Sequence, residues 1–351
     1  MSDVGWADQE TEEIAPGVYR IPLALPRDAL RAVNVYALAD DDGRLVMIDA
    51  GWAVAGSLEL LTGALSRLGF GLRDIKRFLV THIHRDHYTQ AVAIRRQFGS
   101  EIALGVDERP SLEALLAARE HGREVSSSSG RLARAGAFEL REQVDRLAAD
   151  QPVDPNYELP DLWLEPPQVV AVGRRTLQVV STPGHTQGHV VFADLSAGLL
   201  FAGDHVLPQI TPSLGLEASQ RTPPLVNYLE SLALVRAMPE LVLLPAHGPA
   251  GGSVHGRIDE LLAHHAERLD QSAAAVSRGA RTALEVAHEL RWTRHRRQLA
   301  DLDLTNQMLA VSETLAHLEV LVAQGKLRFE TLADGTESFS AVPVRSKAQP
   351  R

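Results

Sequence analysis

The chain contains 351 residues, carries a formal net charge of -10 and has no cysteine. Its length is sufficient for about two domains, and the negative charge disfavours nonspecific attraction to nucleic acid or to an anionic membrane, although a local basic patch can still exist. The lack of cysteine excludes disulfides, thiolate nucleophiles and thiolate metal ligands, so any metal must be held by nitrogen and oxygen donors.

The N-terminal residues 1–16 are acidic, and they lack the basic region and apolar core of a secretory signal. No uninterrupted apolar run is long enough to cross a membrane. We therefore expect a cytoplasmic protein that makes no membrane contact.

The first part of the chain predicts strands that alternate with helices. Strand patterns occur at 18–23, 33–38 and 44–48, and a helical pattern at 57–68 precedes a further apolar strand at 75–80. Alternation of this kind indicates a layered α/β arrangement.

Three histidines and one aspartate follow the last of these strands, in the segment 81–87 with the sequence THIHRDH. His82 and His84 are two positions apart, so on an extended segment their side chains leave on the same face and can bind one cation. Asp86 and His87 come after the chain has begun to turn, and they can serve a second cation nearby. Imidazole and carboxylate donors suit zinc, and iron or manganese also accept them.

Asp49 stands at the end of the strand predicted at 44–48. A carboxylate in this position can orient a metal-bound imidazole by accepting its second N–H group. It can equally be an ordinary aspartate in the turn after a strand, and the sequence does not separate the two interpretations.

The pattern changes after a helix predicted at 91–98 and a short strand at 101–104. Between about 106 and 167 the sequence is helical, rich in alanine and charged, and a run of serines and several prolines interrupt it. We interpret this stretch as an insertion outside the core that serves as a lid or a dimer contact. Tyr157 and Trp163 within it either line a pocket or pack against the core, and packing is the preferred interpretation.

Three further apolar strands in the second half of the chain each lead into a residue that can bind a metal. These residues are His185, Asp204 and His247. Each alone is more simply explained as a turn residue. With the segment 81–87, however, four strands end in metal-compatible residues, and strand ends are where layered α/β folds place their sites.

The combined motifs resemble those of the metallo-β-lactamase-fold hydrolases over roughly residues 14–262. The matching segments are THIHRDH at 81–87, TPGHT at 182–186, GDH at 203–205 and PAHG at 245–248. The resemblance implies an α/β fold, an αββα sandwich with a site for two divalent metal ions, expected to be zinc, at one edge of the paired sheets.

The resemblance also implies a role for each residue of the motifs. It places one metal on His82, His84 and His185 and the other on Asp86, His87 and His247, with Asp204 bridging the two. Two adjacent dications acidify a bridging water to hydroxide, which attacks a carbonyl that one metal polarises. Asp86 is the candidate catalytic residue for moving a proton, and His189 and His205 remain as either supporting or purely structural histidines.

The same resemblance narrows the substrate of the expected enzyme. The flavin-linked di-iron oxidoreductases of the family have a glutamate where this chain has His84, which favours hydrolysis over oxygen reduction. Antibiotic-degrading members with a cysteine ligand are excluded because cysteine is absent. A small-molecule thioester or lactone is the expected substrate, and phosphodiester hydrolysis, as in a nuclease, is the alternative.

The C-terminal part, 270–351, is expected to form a small domain beside the catalytic domain at 1–269. Helices at 283–290 and 304–323, followed by a hairpin, resemble the winged-helix appendage of some metallo-β-lactamase-fold proteins. Winged helices often bind nucleic acid, so a regulatory protein is a further alternative. The segment 304–323 contains no lysine or arginine, however, and a packing or homodimer contact is preferred.

Overall fold

The computed structural model describes residues 5–8, 10–26, 29–120, 128–149, 154–217 and 222–343. Within these ranges the strands are β1 (Glu12–Ala15), β2 (Val18–Ala24), β3 (Ala32–Ala39), β4 (Leu45–Ile48), β5 (Ile75–Val80), β6 (Glu101–Gly105), β7 (Leu162–Leu164), β8 (Gln168–Val172), β9 (Arg175–Ser181), β10 (Val190–Asp194), β11 (Leu199–Gly203), β12 (Val242–Pro245), β13 (Gly252–Ser253), β14 (Leu327–Thr331) and β15 (Glu337–Ala341). The α-helices are α1 (Ser57–Arg67), α2 (Arg85–Phe98), α3 (Arg109–Glu120), α4 (Ser129–Arg134), α5 (Phe138–Ala149), α6 (Pro224–Arg236), α7 (Val254–Arg278), α8 (Ala283–Glu289) and α9 (Leu304–Ala323).

Two sheets form the centre of the molecule. The first has the strand order β1-β2-β3-β4-β5-β6-β7, and the second has the order β13-β12-β11-β10-β9-β8. The first four strands of the first sheet are antiparallel, whereas β4, β5, β6 and β7 are parallel because helical segments connect them. In the second sheet only β11 and β12 are parallel.

Three clusters of buried apolar side chains lie between the layers. One fills the space between the two sheets, where the rings of Tyr36 and Phe201 are 5.3 Å apart. The second joins the first sheet to α1, α2 and α3, and the third joins the second sheet to α6, α7 and α9. The layers are therefore helix, sheet, sheet and helix, which confirms the predicted α/β class and the αββα sandwich.

The residue patterns explain why these elements occupy these layers. Strand β3, AVNVYALA, is buried at all but its last position, as its apolar run, interrupted only by Asn34, predicts for a strand covered on both faces. On α1 the buried Leu61, Ala64 and Leu65 are three and four positions apart and form one face. None of the helices in the described ranges combines the length and the apolarity needed to span a membrane.

The stretch predicted as an insertion at 106–167 is helical through α3, α4 and α5, but the expectation that it lies outside the core was wrong. Strand β7 pairs with β6, and the buried Leu132 and Leu140 join the core beside α9. A three-residue strand carries too little periodicity to be detected from sequence. Residues 126 and 127 of the serine run lie outside the described ranges.

Tyr157 and Trp163 are half-buried and pack against the core cluster on the outer face of the first sheet. The ring of Tyr157 stacks at 6.2 Å from that of Tyr88, and the Arg109 guanidinium lies 4.6 Å from the ring of Trp163. These contacts agree with the packing interpretation of both residues.

The C-terminal elements follow the predicted order, with α8, α9 and the β14–β15 hairpin in sequence. Helix α7 is longer than the helix predicted at 258–269, so the expected boundary at 269 falls inside it, and the division into two domains stays a prediction. Half of the twenty residues of α9 are buried, and only Thr305, Asn306 and Ala323 are exposed. Because α9 packs against α5, α6, α7 and α8, its faces are not open to a nucleic-acid groove.

Candidate metal centre

The side chains singled out in the sequence come together where several strands of the two sheets end. β5, β9, β11 and β12 each lead into one of the predicted metal-binding segments. The two sheets are joined at this edge by a hydrogen bond from Val190 N to Thr81 O, of 2.9 Å. Helix α2 begins at Arg85, earlier than the predicted position 91, so Asp86 and His87 lie in its first turn. The polar first turn of α2 has no apolar periodicity, which explains the late prediction.

Three imidazoles, His82, His84 and His185, form what we call the histidine half of the centre. His84 Nδ1 lies 3.1 Å from His82 Nε2 and 2.9 Å from His185 Nε2, and the two Nε2 atoms are 3.2 Å apart. His185 Nδ1 donates a hydrogen bond to Ser213 O at 2.7 Å, which leaves a lone pair on its Nε2. Burial lowers the pKa of His84 to about 3 and that of His185 to about 4, so both rings are neutral at pH 7.

Asp86, His87 and His247 form the second group, which we call the mixed half. Asp86 Oδ2 lies 3.4 Å from His247 Nε2 and 3.7 Å from His87 Nε2. His87 Nδ1 donates to Asp49 Oδ2 at 2.9 Å, and His247 Nδ1 donates to Ala32 O at 2.8 Å. Both rings are thereby held with their Nε2 atoms directed at the centre. Asp49 therefore orients the ring of His87, which is one of the two roles that the sequence allows for it.

Asp204 lies between the two halves and presents one oxygen to each. Its Oδ2 is 3.4 Å from His185 Nε2, whereas its Oδ1 is 3.3 Å from His247 Nε2 and 3.6 Å from His87 Nε2. Its backbone N–H donates to His189 Nε2 at 3.2 Å, and His189 Nδ1 contacts Thr182 Oγ1 at 2.8 Å. His189 thus supports Asp204 from behind.

The atoms that converge on the centre fit a divalent cation. His87 Nε2, His247 Nε2 and Asp204 Oδ1 are buried and have no hydrogen-bond partner among the described residues, although buried polar atoms are normally satisfied. Burial lowers the pKa of His87, but the carboxylates of Asp49, Asp86 and Asp204 raise it to about 10. The negative field responsible for this shift also favours dications on nitrogen and oxygen donors.

The centre is reached from the side of His84 and Asp86, its two half-buried members. The Asp86 side chain is 15% exposed, whereas those of His87, His185 and His247 are at most 4% exposed. At this opening the Arg85 guanidinium lies 4.1 Å from the ring of Trp52. His205, the last histidine left open by the sequence, is buried beside Tyr228, at a ring distance of 5.3 Å.

All seven predicted ligands therefore meet in one place, and the carbonyls of Ala32 and Ser213 that orient two of them were not expected from the sequence. The sequence profile of the metallo-beta-lactamase superfamily matches residues 28–247, and that of the metallo-beta-lactamase-like C-terminal domain matches residues 269–342. The chain belongs to the metallo-beta-lactamase superfamily. This fold implies divalent metal binding, in agreement with the histidine and aspartate clusters of the chain.

Solved structures and curated relatives agree with this membership. A metallo-beta-lactamase family protein from Thermus thermophilus is 27% identical, with a TM-score of 0.74, over 94% of this chain and 100% of its own. A beta-lactamase domain protein from Burkholderia ambifaria is 26% identical, with a TM-score of 0.79, over 97% of this chain and 98% of its own.

Three curated relatives match shorter stretches. A probable metallo-hydrolase from Bacillus subtilis is 27% identical over 42% of this chain and 44% of its own length. Hydroxyacylglutathione hydrolase GloC from Haemophilus influenzae is 27% identical over 49% of this chain and 65% of its own length. Atrochrysone carboxyl ACP thioesterase AgnL7 from Paecilomyces divaricatus is 24% identical over 77% of this chain and 67% of its own length. The matches thus span less than half of the Bacillus relative and about two thirds of the other two.

Proposed function

We propose that the protein is a dinuclear metal-dependent hydrolase that cleaves a thioester, with a lactone as the second candidate substrate. The observation that carries this proposal is Asp204, whose two oxygens face the two halves of the centre at 3.3–3.4 Å from His247 and His185. A carboxylate in this position is suited to bridging two cations. The substrate class is supported by the names of two relatives, an ACP thioesterase and a hydrolase of acylglutathione, which is also a thioester.

The residues that would hold the metals are the histidine half, the mixed half and Asp204 between them. Two bound divalent ions supply a water that loses its proton near neutral pH and a positive charge for the developing oxyanion. Zinc suits this donor set, and iron or manganese also accept it.

The chain itself supplies orientation and proton movement. Hydrogen bonds from His87 to Asp49, from His185 to Ser213 O and from His247 to Ala32 O fix the tautomers and the ring planes. Asp86 is the most exposed carboxylate of the centre, with 15% of its side chain accessible. We assign it the role of a proton relay, in which its carboxylate would accept the proton that the attacking water loses and return it to the departing thiolate.

The test combines metal analysis with a substrate panel. Protein loaded with zinc is expected to contain two ions per chain and to hydrolyse acylglutathione, acyl-coenzyme A or lactone substrates faster than phosphodiesters. His247→Ala should lose one ion and at least about 100-fold in kcat/KM. His288→Ala, on the exposed face of α8, is the matched control and should change neither value.

Two results would contradict the proposal. One is a zinc-loaded protein that turns over no ester-type member of the panel. The other is a phosphodiester that is turned over faster than every thioester and lactone, which would favour the nuclease alternative.

A further inference from the structure

A second concave site lies away from the metal-binding side chains. It is formed by α7, the loop that follows Asp204 and the turn at residues 291–297 that follows α8. The cavity has a volume of about 760 Å³. Ile210 and Thr211 line it from the loop, Arg257 and Arg268 line it from α7, and Arg294 lines it from the turn. None of the seven proposed metal ligands contributes to its wall. A volume of this size lies within the range of small-molecule pockets, roughly 300–1,000 Å³.

The wall of this cavity is basic, although the whole chain is acidic. Its charged members are six arginines and four glutamates: Arg257, Arg268, Arg278, Arg291, Arg294, Arg296, Glu260, Glu267, Glu289 and Glu313. The formal balance of the lining is therefore positive by two charges, against -10 for the whole chain. A local excess of arginine in a concave surface attracts anions.

Carboxylates of the wall are near three of its arginines. Arg257 contacts Glu260 at 2.7 Å, Arg278 contacts Glu289 at 2.5 Å, and Arg268 lies 3.9 Å from Glu313. Across the described ranges, the remaining three arginines form no ion pair within 4.0 Å. They are Arg291, Arg294 and Arg296, and all three are exposed.

The turn that carries these arginines is fixed by its own backbone. Trp292 and Arg297 exchange two backbone hydrogen bonds, of 2.9 and 2.8 Å, and Trp292 Nε1 donates to Ala287 O at 2.9 Å. Within the turn Thr293 and Arg296 have φ values of 60° and 55°, in the left-handed region that a β-branched threonine rarely adopts. Such strain persists only where the surrounding structure imposes it. The guanidinium groups on this turn are therefore presented from a defined backbone.

The Arg268 guanidinium adds a buried positive charge to the wall of the cavity. It lies 4.2 Å from the ring of Trp292, and it donates to Arg291 O at 3.3 Å. The cavity thus combines one buried arginine with three exposed arginines that have no carboxylate partner in the described part of the chain. A ligand with several negative charges would complete these interactions.

We propose that this cavity binds a small organic ligand with two or more adjacent phosphate groups, for which a nucleoside diphosphate serves as the probe. Guanidinium groups pair with phosphate oxygens through two parallel N–H bonds, and several arginines around one cavity match adjacent phosphates. A concave pocket suits a small ligand, whereas nucleic acid is usually bound along an open surface or by a helix in a groove. Helix α9 packs against other helices and is not available to enter a groove of nucleic acid.

The test is calorimetric titration of ADP into the full-length protein, with adenosine as the uncharged comparison. We expect ADP to bind with a Kd below about 1 mM and adenosine to bind at least about tenfold more weakly. The double variant Arg294→Ala/Arg296→Ala should weaken ADP binding by at least about tenfold. Arg297→Ala is the matched control, because Arg297 is exposed in the same turn but does not line the cavity.

Phosphates can also bind a metal centre, so the titration is repeated on His247→Ala and on protein stripped of metal. The proposal requires ADP binding to persist in both and to remain sensitive to the arginine pair. It is overturned if ADP does not bind, if the arginine pair has no more effect than Arg297→Ala, or if binding disappears with His247. Binding of a DNA or RNA oligonucleotide that depends on the arginine pair, without ADP binding, would overturn it in favour of a nucleic-acid surface.

Discussion

The histidine half and the mixed half of the candidate metal centre differ in both charge and support. In the histidine half three neutral rings converge, with nitrogen atoms 2.9–3.2 Å apart. In the mixed half two rings share the site with Asp86, at 3.4 and 3.7 Å, and a further carboxylate, Asp49, holds His87 from behind. Affinity for a cation in the mixed half therefore depends more strongly on negative charge.

The carboxyl groups that support each half also differ in their contacts and in their pKa. Asp49 touches His87 directly, whereas Glu108 accepts hydrogen bonds from the Thr186 hydroxyl next to His185 and from the backbone N–H of Ile83 between His82 and His84. Burial and the neighbouring carboxylate of Glu217 raise the pKa of Glu108 well above its ordinary value. The raised pKa of Glu108 favours its uncharged form, while the carboxylates of Asp49 and Asp86 lie directly beside a ring of the mixed half. Asp204 is the element that the two halves share.

Replacing the shared carboxylate should have the largest effect. Asp204→Asn keeps the shape of the side chain but removes its charge and one of its two acceptor oxygens, so at most one half keeps an oxygen contact and the bridge is lost. We expect the metal content to fall from about two ions per chain to less than one, and kcat/KM for the best thioester to fall at least about 1,000-fold. Elemental analysis and steady-state kinetics measure both values. Asp270→Asn, exposed on α7, is the control; two tightly bound ions in Asp204→Asn would refute the bridging role.

Removing one histidine from each half, in two separate variants, should show that each half binds its own ion. His84→Ala should empty the histidine half and leave one ion in the mixed half, whereas His247→Ala should do the reverse. Each variant is expected to bind about one ion per chain and to lose at least about 100-fold in kcat/KM. Cobalt substitution distinguishes the two outcomes, because the remaining ion has three imidazoles in one case and a mixed donor set in the other. Identical cobalt spectra for the two variants would show that the two halves do not offer different donor sets.

The carboxylate behind the mixed half offers a smaller and more selective change. Asp49 has a φ of 59°, a left-handed conformation that asparagine also tolerates, so Asp49→Asn should fold. The amide lacks the charge that holds the His87 N–H, and we expect the affinity of the mixed half for its metal to fall about 10- to 100-fold. Chelator competition should show the histidine half unchanged. An equal loss in both halves would show that Asp49 acts on the centre as a whole.

Much of this centre could be predicted because its ligands lie directly after apolar strands. His82 and His84 follow β5, Asp204 follows β11 and His247 follows β12, so the strand patterns, repeated four times, made these residues candidates, and the family resemblance gave them their roles. The supporting groups were not predictable in the same way. The carbonyls of Ala32 and Ser213 carry no signal in their side chains, and their role depends on chain segments that meet only in the folded protein.

The fold likewise could be predicted where the sequence pattern is strong and not where it is weak. The strands and helices with strong periodicity, such as β5 and α9, have the predicted bounds within one residue or two. The short strands β1 and β7 were missed because three or four residues give too little pattern, and pairing with a longer neighbour is what stabilises them. The cavity lined by arginines was also outside the reach of sequence patterns, because α7 and the turn after α8 come together only through tertiary packing.

The buried carboxyls of Glu108 and Glu217, on the side of the histidine half, give the last test, in which metal binding should not change. Burial raises the pKa of Glu217 to about 7 from an ordinary value of 4.5, against a hydrogen bond from Ser111 Oγ of 3.0 Å. A carboxyl whose pKa is higher in the folded state contributes stability that is complete below about pH 4.5 and is lost as the pH rises through about 7. Glu217→Gln is neutral throughout and lacks this loss.

The free energy of unfolding of Glu217→Gln, relative to the parent, should therefore increase by about 1–3 kcal/mol between pH 4.5 and 7 and stay level outside that window. Urea unfolding of both proteins without metal measures the difference while the titration of the ligands cancels. Ion content and kcat/KM should remain within about twofold of the parent, because Glu217 contacts Ser111 rather than a ligand. A difference that does not vary with pH would show that Glu217 is already ionised in the folded protein, and the histidine half would then share the negative surroundings of the mixed half.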